Sequence, residues 1–238
     1  MTPNHSDGSA PERQIKSRER VSAHGEVFTA EREVNAMLDL VKDETARIDS
    51  RFLEPACGNG NFLAEILRRK LAVVRAQYRH IRPLYELYAF VAFSSIYGID
   101  IQQDNVDECR MRLLDLYIKE YEGIFRTPPT QEHEAAILYL LQCNILWGDA
   151  LTLRTPDDAA PIIFAEWAAV GTEGKVQRRD FTLDVLMHPR NYDTPSLFSY
   201  LGDEAFIPEP IRTYPLTHYM QCSTMGDASH IHNPQTIL

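Results

Sequence analysis

The stretch Leu53–Leu63 reads LEPACGNGNFL, a short apolar segment that runs into two glycines, Gly58 and Gly60, and then into a helical pattern. This feature limits the fold most. A strand that turns on bare backbone straight into a helix is the opening unit of an α/β sheet, and the unit recurs downstream. Arg51–Ala56 reads as a strand and Asn61–Arg79 as its helix, with Phe62, Ile66, Val73 and Val74 towards the core and Arg68, Arg69, Lys70, Arg75 and Arg79 around it. Pro83 starts a further helical piece. Ser95–Ile101 (SIYGIDI) is expected as a second strand, followed by a helix over Gln103–Tyr121, with Asp104 as a capping residue. A helix over Glu134–Gln142 leads into a third strand at Asn144–Trp147, and PIIFAEW makes a fourth. Upstream, the spacing Val34, Leu38, Val41 predicts an amphipathic helix from Glu31, with Thr29 at its N-cap.

Alternating strands and helices imply a doubly wound parallel sheet, in which ligands sit outside the carboxyl ends of the strands where strand order reverses. Three of the expected strand ends carry acids: Glu54, Asp100 and Asp149. With 238 residues the chain suits one main domain. Its expected organisation is a loose lead-in over 1–22, a cofactor-binding domain over 23–190, and a Pro-rich extension over 191–238 in which Pro208, Pro210 and Pro215 prevent long elements.

Composition narrows the function classes. The formal net charge of -10 argues against a partner held by a bulk positive field. Cys57, Cys109, Cys143 and Cys222 are scattered and form no CxxC pair, which points to a reduced compartment and away from a zinc site. The longest near-apolar run, Leu84–Ile99, is interrupted by Glu86, Ser94 and Ser95, so no membrane span and a cytoplasmic location are expected. No metal site is expected.

A glycine turn after a strand has a bland explanation, a tight connection that holds nothing. A dinucleotide site is one alternative, but the third glycine of GxGxxG is replaced by Leu63, and the acid that should follow some 20 residues on is the much more distant Asp100. Acids around the loop suit a pyrophosphate poorly. A ligand with a cationic centre, an amino-acid tail and a ribose diol suits them better.

LEPACGNGNFL resembles the first motif of DNA adenine-N6 methyltransferases, (D/E)PxCGxGxF. GEVFTAEREVNAML upstream is similar to that family's FTP segment, with Ala30 where the family has Pro. YGIDIQQDNVDECRMRL and NILWGDAL resemble the strands whose acids meet the cofactor's ribose and adenine, so the similarity covers roughly residues 25–155. The resemblance implies a Rossmann-like methyltransferase sheet, incomplete after the fourth strand, and S-adenosylmethionine as cofactor. It places Phe28, Thr29, Glu54, Ala56, Gly58, Gly60, Asp100, Ile101 and Asp149 around that cofactor, with Phe28 and Ile101 flanking the adenine and Asp100 accepting from both ribose hydroxyls. It also implies DNA as a partner, within a restriction–modification or phage system. The family's (D/N/S)PP(Y/F) motif is missing. Where it should stand the chain reads IIFAEWAAVG, which leaves Glu166 and Trp167 as the residues for a degenerate base pocket, against a plain packed strand. Two outcomes stay open: an adenine-specific DNA methyltransferase, or a non-catalytic or truncated cofactor-binding partner whose sheet a second chain or a restriction subunit completes. A nicotinamide-dependent oxidoreductase stands third. The basic run KVQRRDF, Lys175–Phe181, is the local choice for phosphate contacts, presented by a hairpin around GTEGK.

Overall fold

A computed structural model describes residues 29–187 and 208–225. Phe28 and the lead-in over 1–22 lie outside the described residues. In chain order the elements are α1 (Glu31–Asp39), α2 (Lys42–Thr45), β1 (Phe52–Glu54), α3 (Asn61–Tyr78), α4 (Arg82–Ser94), β2 (Ile96–Asp100), α5 (Gln103–Phe125), α6 (Gln131–Asn144), β3 (Ile145–Trp147), β4 (Ile163–Val170), β5 (Lys175–Thr182), α7 (Leu183–Met187), β6 (Arg212–Thr213) and β7 (Thr217–His218), then a 3-10 turn over Tyr219–Thr224.

The protein is mixed α/β with two separate sheets. β1, β2 and β3 form a parallel sheet in that order, with Phe52 opposite Ile96 and Gly98 opposite Ile145. β4 and β5 form an antiparallel hairpin from Ile163–Thr182 to Val170–Lys175, and β6 and β7 both pair with β5. The expected strand at PIIFAEW and the hairpin around GTEGK are therefore present, but that strand does not join the parallel sheet.

The doubly wound arrangement expected from the alternation is not what the described residues form. Right-handed crossovers that add each strand on the same side lay every helix on one face. The buried residues accordingly separate by sheet face. Ile96 and Ile145 belong to a core shared with α1 and α3–α6, which includes Val34, Leu67, Phe90, Leu113 and Leu140. Tyr97 and Ile99, pointing the other way along β2, meet Ile162, Phe164 and Leu183 instead. One face thus carries helices and the other the base of the hairpin, with Tyr97 and Phe164 rings edge to face at 5.2 Å. Leu53, on β1, stays 40% exposed.

Two local expectations also change. Thr29 is not the cap of α1; the capping position is Ala30, with no side-chain bond to the helix, and Val41 is exposed beyond its end. Lys70, expected on the solvent face of α3, is fully buried. It sits seven residues after Leu63 and three after Leu67, on the apolar stripe itself. Its ammonium donates to the carbonyls of Arg47 (3.1 Å), Ile48 (3.0 Å) and Ser50 (2.5 Å) and to Ser95 Oγ (2.8 Å), tying the chain ahead of β1 to the chain ahead of β2. Burial lowers its pKa to about 8.

The described part of the Pro-rich extension belongs to the same body. Tyr214, Tyr219 and Cys222 are buried, and Tyr219 stands 5.2 Å from the ring of Phe90. Its strands are two residues each, as the prolines require. No helix among the described residues is long and apolar enough to cross a membrane.

Candidate functional site

The carboxyl ends of β1, β2 and β3 open into a crevice of about 590 Å3. It is built around the glycine turn. Leaving β1, the chain places Cys57 N on Ile99 O (2.8 Å) and Gly60 N on Cys57 O (2.8 Å), so the turn is stitched to the end of β2. Gly58 and Gly60 both lie in the left-handed region, with φ of 52° and 87°. At Gly60 the reason is steric as well: a Cβ there would fall 2.6 Å from Cys109 Sγ on α5. α3 then starts directly after the turn, and its first amides have no partner within the helix.

Asp100 is the hub of this turn. It is 8% exposed, and its Oδ2 accepts from Gly58 N (2.8 Å) while Oδ1 accepts from Gln102 N (2.8 Å) and Asn105 Nδ2 (3.3 Å). A carboxylate offers about four acceptor positions, so roughly one remains for a ligand. The two-hydroxyl grip expected of Asp100 narrows to a single hydroxyl unless the turn yields a bond. Glu54 lines the crevice at the end of β1; burial, the larger influence, raises its pKa, and the Ala56 amide it accepts from offsets this in part. Asp149 lies at the third strand end, half-buried, and the Leu151 amide that donates to its Oδ1 (2.8 Å) lowers its pKa. Cys57 also lines the crevice; its thiol is pushed well up, first by the hydrogen bond with Cys109, then by burial. It is no nucleophile at neutral pH.

Of the residues expected around a cofactor, Thr29, Glu54, Ala56, Gly58, Asp100, Ile101 and Asp149 all line this one crevice, and Gly60 forms the turn beneath it. Ile101 is half exposed at the mouth, where its carbonyl accepts from Trp147 Nε1 (2.9 Å). Phe28 lies outside the described residues.

Glu166 and Trp167 are placed elsewhere. They belong to a second cleft, at the amino ends of β1 and β2, with Arg51, Ser95 and Arg179. Glu166 pairs with Arg51 and with Arg179, and Trp167 is buried edge to face against Phe90 (5.7 Å) and Tyr139 (6.2 Å). A strand length separates them from Asp100, so the FAEW segment does not form a base pocket over the crevice. The basic run is also divided. Arg178 is buried, its guanidinium on both oxygens of Asp180 (2.6 and 3.0 Å) and on Tyr139 OH (2.6 Å), which leaves it no role in phosphate contact.

Sequence reasoning missed several crevice residues. Asn61 holds the incoming chain through Thr29 O (3.2 Å) and accepts from Arg112; Asn105 holds Asp100; Phe62 and Leu151 line the walls. Asn61 follows Gly60 directly, so its place at the mouth was implicit in the turn. Arg112 and Asn105 enter from α5, and only the fold brings them there.

Apart from its three acids the crevice is lined by neutral side chains, with no Lys, Arg or His among the described lining residues. It is an electronegative pocket of ordinary ligand size. Among the described residues no group of three or more His, Cys, Asp and Glu is placed to hold a metal ion. Comparisons with protein-family models, with curated proteins and with solved structures give no match.

Proposed function

We propose that this crevice binds S-adenosylmethionine and that the chain is a methyltransferase-like protein of the DNA adenine-N6 type. One observation carries the reading: a crevice lined by three acids and no basic side chain, at the carboxyl ends of three parallel strands, beside a glycine turn and the start of a helix. A sulfonium and an ammonium are favoured by that field, while the ligand's carboxylate is served by the first amides of α3. A pyrophosphate would meet three carboxylates, with Arg112 held behind Asn59 and Asn61, which counts against a nicotinamide dinucleotide. The parallel order β1-β2-β3 supports the reading in so far as a Rossmann-like sheet has 3-2-1 as one of its halves.

Catalysis by the isolated chain has no such support. With Glu166 and Trp167 at the other end of the sheet, the two residues expected to accept from and stack on a flipped adenine do not reach the crevice. That observation favours the second reading, a cofactor-binding subunit whose methyl-acceptor site comes from a partner chain.

Calorimetric titration of the whole chain with S-adenosylmethionine tests the proposal. Binding is expected, and Glu54→Gln is expected to weaken it by about 1.5–3 kcal/mol, the scale of a hydrogen bond to a charged group. The sign of the pH effect follows from Glu54. Its pKa is raised in the free protein, and an adjacent cation lowers it, so binding releases a proton and strengthens as pH rises through the free-protein value. Above that value the dependence disappears. Absence of binding heat alongside tight nicotinamide dinucleotide binding would overturn the proposal.

A further inference from the structure

One stripe of α5 backs the glycine turn. Asn105, Glu108, Cys109 and Arg112 recur at the i, i+3, i+4 and i+7 spacing that puts side chains on one helix face. Asn105 bonds Asp100, and Cys109 packs against Gly60. The other two meet the asparagines on either side of Gly60. Arg112 Nη1 donates to Asn61 Oδ1 and to Asn59 Oδ1 (3.4 Å), and Glu108 Oε1 accepts from Asn59 Nδ2 (3.0 Å). Asn59 and Asn61 line the crevice at the carboxyl ends of the strands, whereas Arg112 stands behind them.

These contacts fix which way each amide faces. Asn61 has its oxygen on the guanidinium and its nitrogen on the carbonyl of Thr29 (3.2 Å). Turned over, it would set N–H against N–H and oxygen against oxygen. Asn59 is held in the same sense: reversal would place its nitrogen against Arg112 and its oxygen against the Glu108 carboxylate. A side-chain amide carries two N–H donors. One of those of Asn61 goes to Thr29, and the other has no acceptor among the described residues. Arg112 thus makes a donor of a wall residue that could otherwise offer the crevice an acceptor. A donor bonded to Oδ1 also polarises the amide and strengthens its remaining N–H.

We propose that Arg112 is a positioning residue for the crevice, and that the Asn61 N–H it sets free binds the carboxylate of the ligand's amino-acid tail. The inference rests on the reading of the crevice as a site for S-adenosylmethionine. Glu54, Asp100 and Asp149 favour the cationic groups of that ligand and repel its carboxylate, so the carboxylate has to be met by donors held away from them. Asn61 meets this need. It is the first residue of α3, and the opening amides of that helix, which lack helical partners, lie next to it in the chain. The one guanidinium bonded to the turn stands directly behind it.

Decarboxylated S-adenosylmethionine separates this role from a purely structural one, because it keeps the sulfonium, the ammonium and the adenosine and lacks only the carboxylate. The experiment is calorimetric titration of the full chain with both ligands. Arg112→Met should weaken S-adenosylmethionine by about tenfold or more, the scale of a hydrogen bond to a charged group, and the decarboxylated ligand by less than about twofold. Arg112→Lys, which keeps a cationic donor, should recover most of the lost affinity. Asn61→Asp keeps an acceptor for Arg112 and suits a first helical turn, so it should stay folded while disfavouring the carboxylate-bearing ligand alone. If circular dichroism shows that Arg112→Met does not fold, Asn61→Asp carries the comparison. Equal losses for the two ligands, or no loss in a folded variant, would overturn the role of Arg112 and Asn61 and leave the cofactor reading intact. Failure of the wild-type chain to bind either ligand would refute that reading, and this inference with it.

Discussion

Gly60→Ala is the sharpest test of why the turn is bare. Gly60 has φ of 87°, and an added Cβ would lie 2.6 Å from Cys109 Sγ. Two separable costs follow. Holding a Cβ-bearing residue in the left-handed region costs about 1–2 kcal/mol. Driving a methyl into a packed neighbour costs about 1–3 kcal/mol more. The sum, about 2–5 kcal/mol, is a large share of the roughly 5–15 kcal/mol that holds a typical domain together. Cys109 is fully buried on α5, and Cys109→Ala removes only its sulfur. In the double variant the overlap should vanish while the backbone strain stays, so the two changes should couple favourably by about 1–3 kcal/mol. Urea unfolding of the four proteins measures this, provided the slopes agree. Additivity to within about 0.5 kcal/mol would show that Cys109 does not limit Gly60, and an unperturbed Gly60→Ala would refute the geometry of the turn. The outcome also bears on function: a turn closed by packing against α5 explains Gly60 without a ligand, so the case for a cofactor rests on the acids rather than on this glycine.

Two further expectations concern buried polar groups. Every contact that the structure gives the Asp100 carboxylate is a donor, so Asp100→Asn must turn its amide nitrogen against one of them; a loss of about 1–3 kcal/mol in urea unfolding is expected, and an unchanged stability would mean that the turn is held otherwise. His133 is buried with Nε2 2.7 Å from Tyr117 OH, and burial lowers its pKa from 6.5 to about 4. The unfolded chain therefore binds a proton below pH 6.5 that the folded chain refuses, so this group makes stability fall with pH across that window. Between pH 7 and pH 5 it accounts for about 2 kcal/mol. His133→Gln should remove that part of the acid sensitivity, and an identical pH profile in wild type and variant would contradict it.

Much of the local structure was legible. The turn LEPACGNGNFL, the strand at SIYGIDI and the hairpin at GTEGK each declare themselves by residues adjacent in sequence, where period and glycine placement are sufficient evidence. The convergence of Glu54, Asp100 and Asp149 also followed, since parallel strands necessarily end on one side. What failed needed partners distant in sequence. Arg178 reads as part of a surface charge run, and its period-two match with Asp180 was visible, but Tyr139 and Tyr214, which complete its burial, come from α6 and from the segment after β6. Lys70 lies on the apolar stripe of α3, yet only the fold assembles the carbonyls of Arg47, Ile48 and Ser50 around its ammonium. The winding of the sheet was the larger miss, because alternation of strand and helix does not say on which side each new strand is added.

The point where the chain leaves the expected path has a physical cause. A fourth parallel strand beside β1 needs a crossover long enough to return across the sheet, usually through a helix packed on the opposite face. Residues 148–162 contain no helix: Asp149 and Arg154 bridge, Arg154 and Pro161 bridge, and Ile162 N bonds to Leu153 O at 3.0 Å. Such a compact loop delivers the chain to the near edge, and Ile162 and Phe164 then cover the face that a returning helix would have taken. β4 is left without a parallel neighbour and closes on β5. Among the described residues β1 consequently pairs with β2 alone, and its outer edge adjoins the crevice. On the proposed reading this is where acceptor chemistry has to enter. A strand added there would end beside Glu54, whereas the hairpin carries Glu166 and Trp167 to the opposite end. Any activity of the isolated chain on DNA would therefore have to survive Glu166→Ala and Trp167→Ala in folded protein; its loss in those variants would mean that the hairpin reaches the crevice after all.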